Sequence, residues 1–421
     1  MSDRDALLRA IVEQPDEDTP RLVFADYLEE HDEGARAAFI RAQVELATAA
    51  PWEPFAVRCR WRAPNVVSGT AFVPTLPKLE SSAVEWATPP FRRGFGWWLR
   101  VPMVSEWGAR VSPLFDRAPI GKVTLPTAVL DDWRRVAASA CVKHLREVVF
   151  VSSPIEPLFA LRDVPAACGI TDLHFARASG FGMPEVIEDL FRSRLGAAVR
   201  GLHFHVGSHE SIDALLDALN TGGPLDRLSF RVLGLGANHL RRLFAGPTAC
   251  ALIGLHFRNE LFEGDGLRVL ADVLPRTLRD LTLVNIGMRA DGLEVFARSD
   301  QLANLNRLDL SSNPLTPRAV KVLSLSHSLT SLRSLDLTNC RIGDKGVRHV
   351  TQAKWWPGLV ELTLRNNSIS PAGVKHLLNA SVPPDLAALV LDADTGSTES
   401  RAALVKRFGD AVMFVAPEPA H

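Results

Sequence analysis

Leucine recurs with a fixed spacing of 27 residues in the C-terminal third of the chain, and this regularity limits the folds available to it. The leucines that begin successive L-x-x-L-x-L patterns are Leu278, Leu305, Leu332, Leu359 and Leu386. Alternating apolar residues predict a short strand. Each strand pattern is followed by an apolar pair three positions apart, a spacing that predicts a helix. Each period is therefore predicted to form one strand, one turn and one helix, stacked in an array.

The same template continues towards the N-terminus with weaker matches. Its apolar triplets begin 25 to 29 residues apart and can be followed back to Ile120, Val123 and Leu125. We therefore predict about 11 repeats across residues 95–398, degenerate at the N-terminal end.

A polar residue follows each of the clearest strand patterns. Asn313, Cys340 and Asn367 occupy this position, whereas Glu260 and Ile286 depart from it in two earlier repeats. The extended pattern, L-x-x-L-x-L-x-x-N/C-x-L, resembles the leucine-rich-repeat family in its ribonuclease-inhibitor-like class. The resemblance implies an α/β solenoid of horseshoe shape, with a parallel sheet on the concave side and helices on the convex side.

Residues 1–50 differ in composition, with twelve Asp and Glu against five Arg, and they predict a small all-α module of three helices. The segments DTPRLVFADYLEEH and ARAAFIRAQVELA resemble the "repeat-companion" domain found at the N-termini of bacterial leucine-rich-repeat proteins. The resemblance implies a bacterial protein. The acidic side chains are interpreted either as solvated helix faces or as a surface that docks on basic residues of the repeats.

The segments that flank the repeats are predicted to be caps. Residues 51–94 contain seven prolines together with Trp52, Trp61 and Trp86, which predicts an irregular cap over the edge of the first repeats. Residues 399–421 are predicted to form a C-terminal cap and tail, with a helix around 401–408 and a strand at 412–415.

Composition and motifs exclude several classes of protein. The net charge of −1 disfavours nucleic-acid binding, and no stretch is apolar enough to predict a membrane span. Five scattered cysteines without a CxxC pair argue against a disulfide framework and favour a reducing, cytoplasmic location. No catalytic motif is present, and Gly234 and Gly236 are interpreted as a repeat turn rather than a dinucleotide fingerprint. We therefore predict neither an enzyme nor a cofactor.

The candidate site residues lie between and after the strand leucines, where side chains are predicted to point to the concave side. They are His174, His203, His205, Arg227, Arg231, His256, Arg258, Asp280, Arg307, Asp309, Asp336, Glu361 and Arg365. The middle repeats thus present histidine and arginine, and the later repeats present more acidic residues.

Three interpretations of this surface stay open. It is an ordinary solvated face, the footprint of a protein partner, or a metal site formed by His174, His203 and His205, with His209 as a further ligand. We predict a non-catalytic scaffold that binds a protein on its concave face. The alternative implied by the family is a regulator of an enzyme, either a hydrolase inhibitor or a small-GTPase regulator, and metal-dependent activity ranks below both. The sequence predicts neither the identity of the partner nor the oligomeric state.

Overall fold

A computed structural model describes most of the chain. The described residues are 2–62, 84–87, 91–93, 95–101, 103–126, 130–151, 155–176, 183–205, 212–231, 234–262 and 265–416. The chain divides into two compact units. The first comprises residues 1–50 and 62–208, and the second comprises residues 51–61 and 209–421.

Three helices begin the first unit, as the sequence predicts. They are α1 (Asp3–Glu13), α2 (Thr19–Glu30) and α3 (Gly34–Thr48). Ser2 and Asp5 form a reciprocal capping box at the start of α1. Asp18 precedes the first residue of α2, and Pro20 lies in the first turn of that helix, where its missing N–H has no intrahelical role. Ile11, Leu28 and Ile40 are fully buried, so the three helices share a small apolar core.

A phenylalanine from outside the helical module completes this core. Phe95 is buried among the helices, with its ring centroid 5.8 Å from that of Phe24 and close to the guanidinium groups of Arg21 and Arg36. Two ion pairs add to this attachment: Arg146 donates to Asp16 at 2.5 Å, and Arg93 lies 3.3 Å from Asp18.

These ion pairs bear on the predicted docking of the acidic module. Two of its acidic residues, Asp16 and Asp18, pair with arginines near the first repeats of the same unit. Neither Arg93 nor Arg146 belongs to the basic residues that the sequence hypothesis named.

The sheet of the first unit is built mainly from parallel strands. Its strands are β1 (Glu85–Trp86), β4 (Trp98–Arg100), β5 (Lys122–Leu125), β6 (Glu147–Phe150), β7 (Asp172–Phe175) and β8 (Gly201–His205). Strand β1 is antiparallel to β4, and β4 to β8 run parallel in chain order. A separate hairpin pairs β2 (Phe91–Arg92) with β3 (Phe95–Gly96).

The helices of these early repeats are short or irregular. The α-helices are Leu130–Ala138, Ile155–Leu161, Met183–Phe191 and Arg194–Ala198. The turns of 3-10 or π type are Val104–Glu106, Trp107–Val111, Ser112–Asp116, Ala140–His144 and Pro165–Gly169. This irregularity accompanies the degenerate sequence pattern of the same region.

The second unit is a regular series of strand–helix repeats. Its strands are β9 (Arg227–Arg231), β10 (Gly254–Arg258), β11 (Asp280–Val284), β12 (Arg307–Asp309), β13 (Ser334–Asp336), β14 (Glu361–Thr363), β15 (Ala388–Asp392) and β16 (Val412–Val415). Each strand pairs in parallel with the next.

One α-helix precedes β9, and one α-helix follows each strand from β9 to β15. The helices are Ile212–Leu219, Ala237–Ala245, Gly266–Val273, Ala290–Ala297, Thr316–Ser324, Gly343–Thr351, Pro371–Asn379 and Thr398–Phe408, the first preceding β9. The strand leucines and one face of each helix are buried between the two layers, as Leu308, Leu335 and Leu362 illustrate. The sheet side that faces away from these helices is called the concave side below. Helix Thr398–Phe408 and strand β16 confirm the elements predicted at the C-terminus.

An asparagine ladder fixes the turns between strand and helix. The Asn367 amide donates to the carbonyls of Leu337 and Leu364, at 2.7 and 3.0 Å, and its oxygen accepts from the N–H groups of Cys340 and Ile342. Asn313 makes the equivalent hydrogen bonds two repeats earlier. Because buried backbone groups must be paired, the N/C position of the sequence pattern serves consecutive repeats.

The two departures from this position are explained by the structure. Glu260 is fully buried, and its carboxylate accepts from the N–H groups of Gly234 and Leu235 in the preceding repeat, at 2.8 and 3.1 Å. Ile286 is fully buried as an apolar substitute in the same column. Gly234 has a φ of +72° and lies in this turn, so the prediction of a repeat turn there is confirmed.

A nine-residue helix within the proline-rich segment differs from the predicted irregular cap. Helix α4 (Pro54–Arg62) contributes Val57 to an apolar cluster with Val360, Ala388 and Val390 of the last repeats. Proline begins the helix, where its missing N–H has no intrahelical role, so the proline content does not prevent it. Of the remaining predicted cap, residues 63–83 and 88–90 lie outside the described residues.

Candidate binding surface

The concave side of the second unit carries three zones of different chemistry along the chain. A cationic zone comes first, formed by Arg227, Arg231 and Arg258, which are all exposed. An acidic zone follows, and an apolar zone ends the series. The members of the acidic zone are Asp280, Asp309, Asp336 and Glu361. The members of the apolar zone are Val360, Ala387, Ala388, Val390 and Met413.

Strand register places the cationic zone on two neighbouring strands. Arg231 of β9 is directly opposite Arg258 of β10, and Arg227 lies at the other end of β9. Between them, the His256 ring nitrogen Nδ1 is 2.8 Å from the Thr282 hydroxyl of the next strand. The Arg258 guanidinium lies 3.8 Å from the Asp309 carboxylate and so meets the acidic zone.

Two carboxylates of the acidic zone, Asp309 and Asp336, occupy adjacent positions on paired strands. Asp309 is buried and accepts from the Ser311 N–H, while Asp336 accepts from the Thr338 N–H at 2.8 Å. Burial, and then the charge of Asp309, raise the pKa of Asp336 to about 6, although the bonds from Thr338 oppose the shift. Like charges are thus held close together here.

A half-buried arginine balances part of this charge. Arg307 lies 3.3 Å from Asp280, its neighbour on β11. Burial works against the charged guanidinium, but Asp280 and Asp309 outweigh it and raise the pKa of Arg307. Arg307 therefore stays cationic within the sheet surface.

Glu361 is the best-satisfied carboxylate of the acidic zone and connects it to helix α4. Arg60 donates to both Glu361 oxygens, at 2.8 and 2.9 Å, and the Trp61 indole and Ser334 hydroxyl donate at 2.5 and 2.6 Å. Burial acts to raise the pKa of Glu361, but Arg60 and these donors outweigh it and lower that pKa. Glu361 is only 4% exposed, so these donors replace the water that an ionised carboxylate needs.

The apolar zone is covered by α4. Val57 is fully buried against Val360, Ala388 and Val390, and Trp61 packs at the edge of the cluster beside Met413. Val57, Arg60 and Trp61 lie on one face of the helix because they are three and four positions apart. The apolar contact of Val57, the ion pair of Arg60 with Glu361 and the hydrogen bond from Trp61 thus hold the helix on the sheet.

The first unit carries a separate polar row on its concave side. The rings of His174 and His203 stack, with centroids 4.1 Å apart and planes within 10°. Their Nε2 atoms lie 3.6 Å from Glu147 and 3.5 Å from Asp172, respectively. The Lys122 ammonium group is 2.8 Å from Glu147. Each of the two carboxylates therefore lies beside a lysine or histidine side chain.

The electrostatics of this row favour an ionised glutamate. Burial acts to raise the pKa of Glu147, but His174 and Lys122 outweigh it and lower that pKa to about 2. Burial lowers the pKa of His174 in spite of Glu147. A side chain at Gly201 would displace the Asp172 carboxylate, since a Cβ at this position would lie 2.1 Å from the carboxylate oxygen.

The described histidines are not arranged as a metal site, which was one of the three interpretations of this surface. Stacked rings direct their in-plane lone pairs along parallel planes and do not converge on one ion. The ring centroid of His205 is 6.4 Å from that of His174. In the part of the chain that the structure describes, no group of three or more His, Cys, Asp or Glu is arranged to hold a metal ion. His209 lies outside the described residues.

The structure brings most predicted site residues into one of two groups. His174, His203 and His205 belong to the first unit, and the remaining candidates belong to the second. Arg365 is half-buried and donates to the Ala416 carbonyl, so part of its hydrogen-bonding capacity is used at the C-terminus.

Several residues that form these surfaces are absent from the site residues predicted from the sequence. Lys122 and Glu147 occupy the same strand column as Asp172, so the repeat template could have identified them. Val57, Arg60 and Trp61 lie outside the repeats, and no periodic signal indicates their contact with residues about 300 positions away.

Comparison with known proteins identifies the repeats. A family model described as a leucine-rich repeat matches residues 301–324 and 328–348. A crystal structure of a protein from Bacteroides fragilis is similar over 72% of this chain and 76% of that chain, with 12% sequence identity and a TM-score of 0.40. No curated protein matches this chain.

The matched residues therefore resemble leucine-rich repeats, and the parallel strands and alternating helices of the second unit are consistent with a leucine-rich-repeat fold. Such repeats generally mediate protein–protein interaction, and their fold is typically a non-catalytic binding scaffold. Within the described residues, no helix is both long and apolar enough to cross a membrane.

Proposed function

We propose that this protein is a non-catalytic scaffold that binds a protein partner on the concave side of its second unit. The observation that carries the proposal is the docking of α4 on that side, through Val57 in the apolar zone and Arg60 on Glu361. The same sheet surface continues into exposed arginines. Arginine is enriched among interface residues that dominate binding energy, and solenoid arrays bind partners on such open sheets.

The proposal also includes the class of the repeats, the nature of the N-terminal module and the location of the protein. We infer that the repeats are of the ribonuclease-inhibitor-like class, since a strand and a true α-helix alternate in each 27-residue period of the second unit. We also propose that residues 1–50 are a bacterial repeat-companion module. Cys59, Cys141 and Cys340 are buried thiols outside disulfides, which supports a reducing cytoplasmic location.

A protein partner fits this surface better than a nucleic acid. The cationic zone is bounded by the acidic zone, and the whole chain has a net charge of −1. Binding to a polyphosphate backbone needs a continuous basic surface. An alternation of cationic, acidic and apolar zones suits the mixed surface of a folded protein.

Affinity capture from the cytoplasm of the source organism tests the proposal. The wild-type protein is compared with the triple variant Arg227→Glu/Arg231→Glu/Arg258→Glu. Reversing three exposed charges is expected to weaken retention of a specific partner at least about tenfold, which corresponds to about 1.4 kcal/mol.

A matched variant controls for the change in net charge. Arg268→Glu/Arg298→Glu/Arg318→Glu makes the same change on exposed residues of three repeat helices. This control is expected to retain the partner as the wild type does. Equal retention by all three proteins, or equal loss from both variants, would show that the concave side is not the binding surface.

A further inference from the structure

Helix α4 is too short to be stable without its docking site. It has nine residues, and helices of this length are marginal in water. Its structure therefore depends on tertiary contacts, which include those that Val57, Arg60 and Trp61 make with the last repeats. Loss of these contacts would release the helix as a flexible segment rather than as a folded body.

The docking site defines what any replacement of α4 must supply. The buried Glu361 carboxylate needs a cation and hydrogen-bond donors, because an unpaired buried charge is costly. The apolar zone needs a side chain in the place of Val57. Both requirements are met by an amphipathic helix with an apolar residue, an arginine three positions later and an aromatic residue next to it.

The acidic zone extends beyond the contacts of α4. The bonds of the Arg60 guanidinium are to Glu361 and to the Pro51 carbonyl. Asp336 and Asp309 follow on the next strands of the same sheet. A longer helix with further basic residues on the same face would extend along the sheet towards these carboxylates.

We propose that the concave side of residues 334–415 is a helix-binding surface with α4 as its resident occupant, and that a basic amphipathic helix of the partner replaces α4. This inference rests on the proposed function, because it names the kind of partner that the concave side binds. The partner is recognised by its apolar, arginine and aromatic residues at positions i, i+3 and i+4.

Cys59 provides a direct measurement of displacement. It lies on α4 and is 5% exposed, and its thiol becomes accessible to a reagent when α4 leaves its site as a flexible segment. The probe is a synthetic peptide of residues 51–62 that carries Cys59→Ser, added in excess to the full-length protein. Maleimide labelling is followed by mass spectrometry at Cys59 and at Cys340, which is fully buried in the repeat core.

The peptide is expected to accelerate labelling of Cys59 at least about tenfold, corresponding to about 1.4 kcal/mol, and to leave Cys340 unchanged. The same peptide with Arg60→Glu is expected to have no effect. Unchanged labelling of Cys59 in the presence of the wild-type peptide would show that α4 is a fixed part of the fold and would overturn the inference.

A binding measurement provides an independent test. Val57→Asp in the protein weakens the resident helix and leaves the repeats intact, so labelled peptide is expected to bind this variant more tightly than the wild type in fluorescence anisotropy. The double variant Val57→Asp/Glu361→Gln is expected to lose that gain. Peptide binding that is equal in all three proteins would place it elsewhere and contradict the inference.

The two proposals fail in distinguishable ways. If the arginine variant loses the partner but the peptide does not displace α4, the concave side binds a partner without exchanging a helix. If the peptide displaces α4 but the arginine variant retains the partner, the helix-binding surface exists and the cationic zone is not part of the footprint.

Discussion

Asn367 shows how a single side chain can stabilise two repeats. It is 1% exposed, and it pairs with backbone groups of its own repeat and of the preceding one. Asn367→Ala would leave several buried backbone groups without partners, each costing about 1–3 kcal/mol. We expect the free energy of unfolding to fall by about 3 kcal/mol or more, measured by chemical denaturation. Asn238→Ala, on the exposed face of a helix, should change it by less than about 0.5 kcal/mol.

Asp336 makes stability depend on pH in an unusual direction. Its pKa is about 6 in the folded protein against an ordinary value of 3.8, so the folded state binds this proton more tightly than the unfolded state. The ionised form therefore destabilises the fold, partly between pH 4 and 6 and fully above about pH 6. Asp336→Asn keeps the oxygen that accepts from Thr338 and removes the charge. Its melting temperature should exceed that of the wild type at pH 8, with a stabilisation on the order of 1 kcal/mol.

The difference should shrink as the pH is lowered to 4.5, where the wild-type carboxyl is largely protonated in the folded state. Asp394→Asn removes the same charge from an exposed position and serves as the control. A gain in Asp336→Asn that is constant with pH would argue for a packing effect instead of relief of charge repulsion between Asp336 and Asp309.

Among the elements, the three-helix module of residues 3–48 depends on a residue that lies outside it. Phe95 fills its core beside Phe24, Arg21 and Arg36. Phe95→Ala should destabilise the module by about 3–5 kcal/mol, as large truncations of buried aromatic residues do. Hydrogen exchange of residues 24–44 should accelerate accordingly. Arg41→Ala removes an exposed ion pair with Asp26 and Glu29 and should leave the exchange rates of the module nearly unchanged, because solvent screens such pairs.

The repeat elements could be predicted from the sequence because their signal is local and periodic. The leucines of β11 to β14 occur every 27 residues, and each strand is found where the pattern places it. Glu260 departs from the pattern yet pairs the backbone of the turn, since a carboxylate can accept hydrogen bonds from backbone N–H groups as an asparagine oxygen does. The chemistry of the position therefore matters more than the residue named in the pattern.

The docking of helix α4 on the last repeats could not be predicted, because the contacts that hold it are neither local nor periodic in the sequence. Its contacts with Val360, Ala388 and Glu361 join residues far apart in sequence, and no repeat pattern connects them. The segment that contains it is rich in proline, which argues locally against a helix. The site prediction was thus limited to the repeat columns, which include Glu361 but not its partner Arg60.

At the scale of the whole molecule, a repeat array behaves differently from a globular core. Each repeat contacts mainly its neighbours, so stability is approximately a sum of terms from single repeats and from the interfaces between them. The second unit has this organisation, with β12 paired only to β11 and β13 among the described strands. A defect in one repeat should therefore spread to adjacent repeats and weaken with distance.

Leu308→Ala tests this expectation. Leu308 is fully buried in β12, and its truncation should cost about 2–5 kcal/mol because it leaves a cavity. Hydrogen exchange measured by mass spectrometry should accelerate in β11, β12 and β13, while protection of β5 to β7 in the first unit should stay unchanged. Loss of protection in residues 122–175 to the same degree would instead require both units to unfold as one cooperative body. Local loss in the second unit would mean that the stability of the concave zones can be altered independently of the helical module.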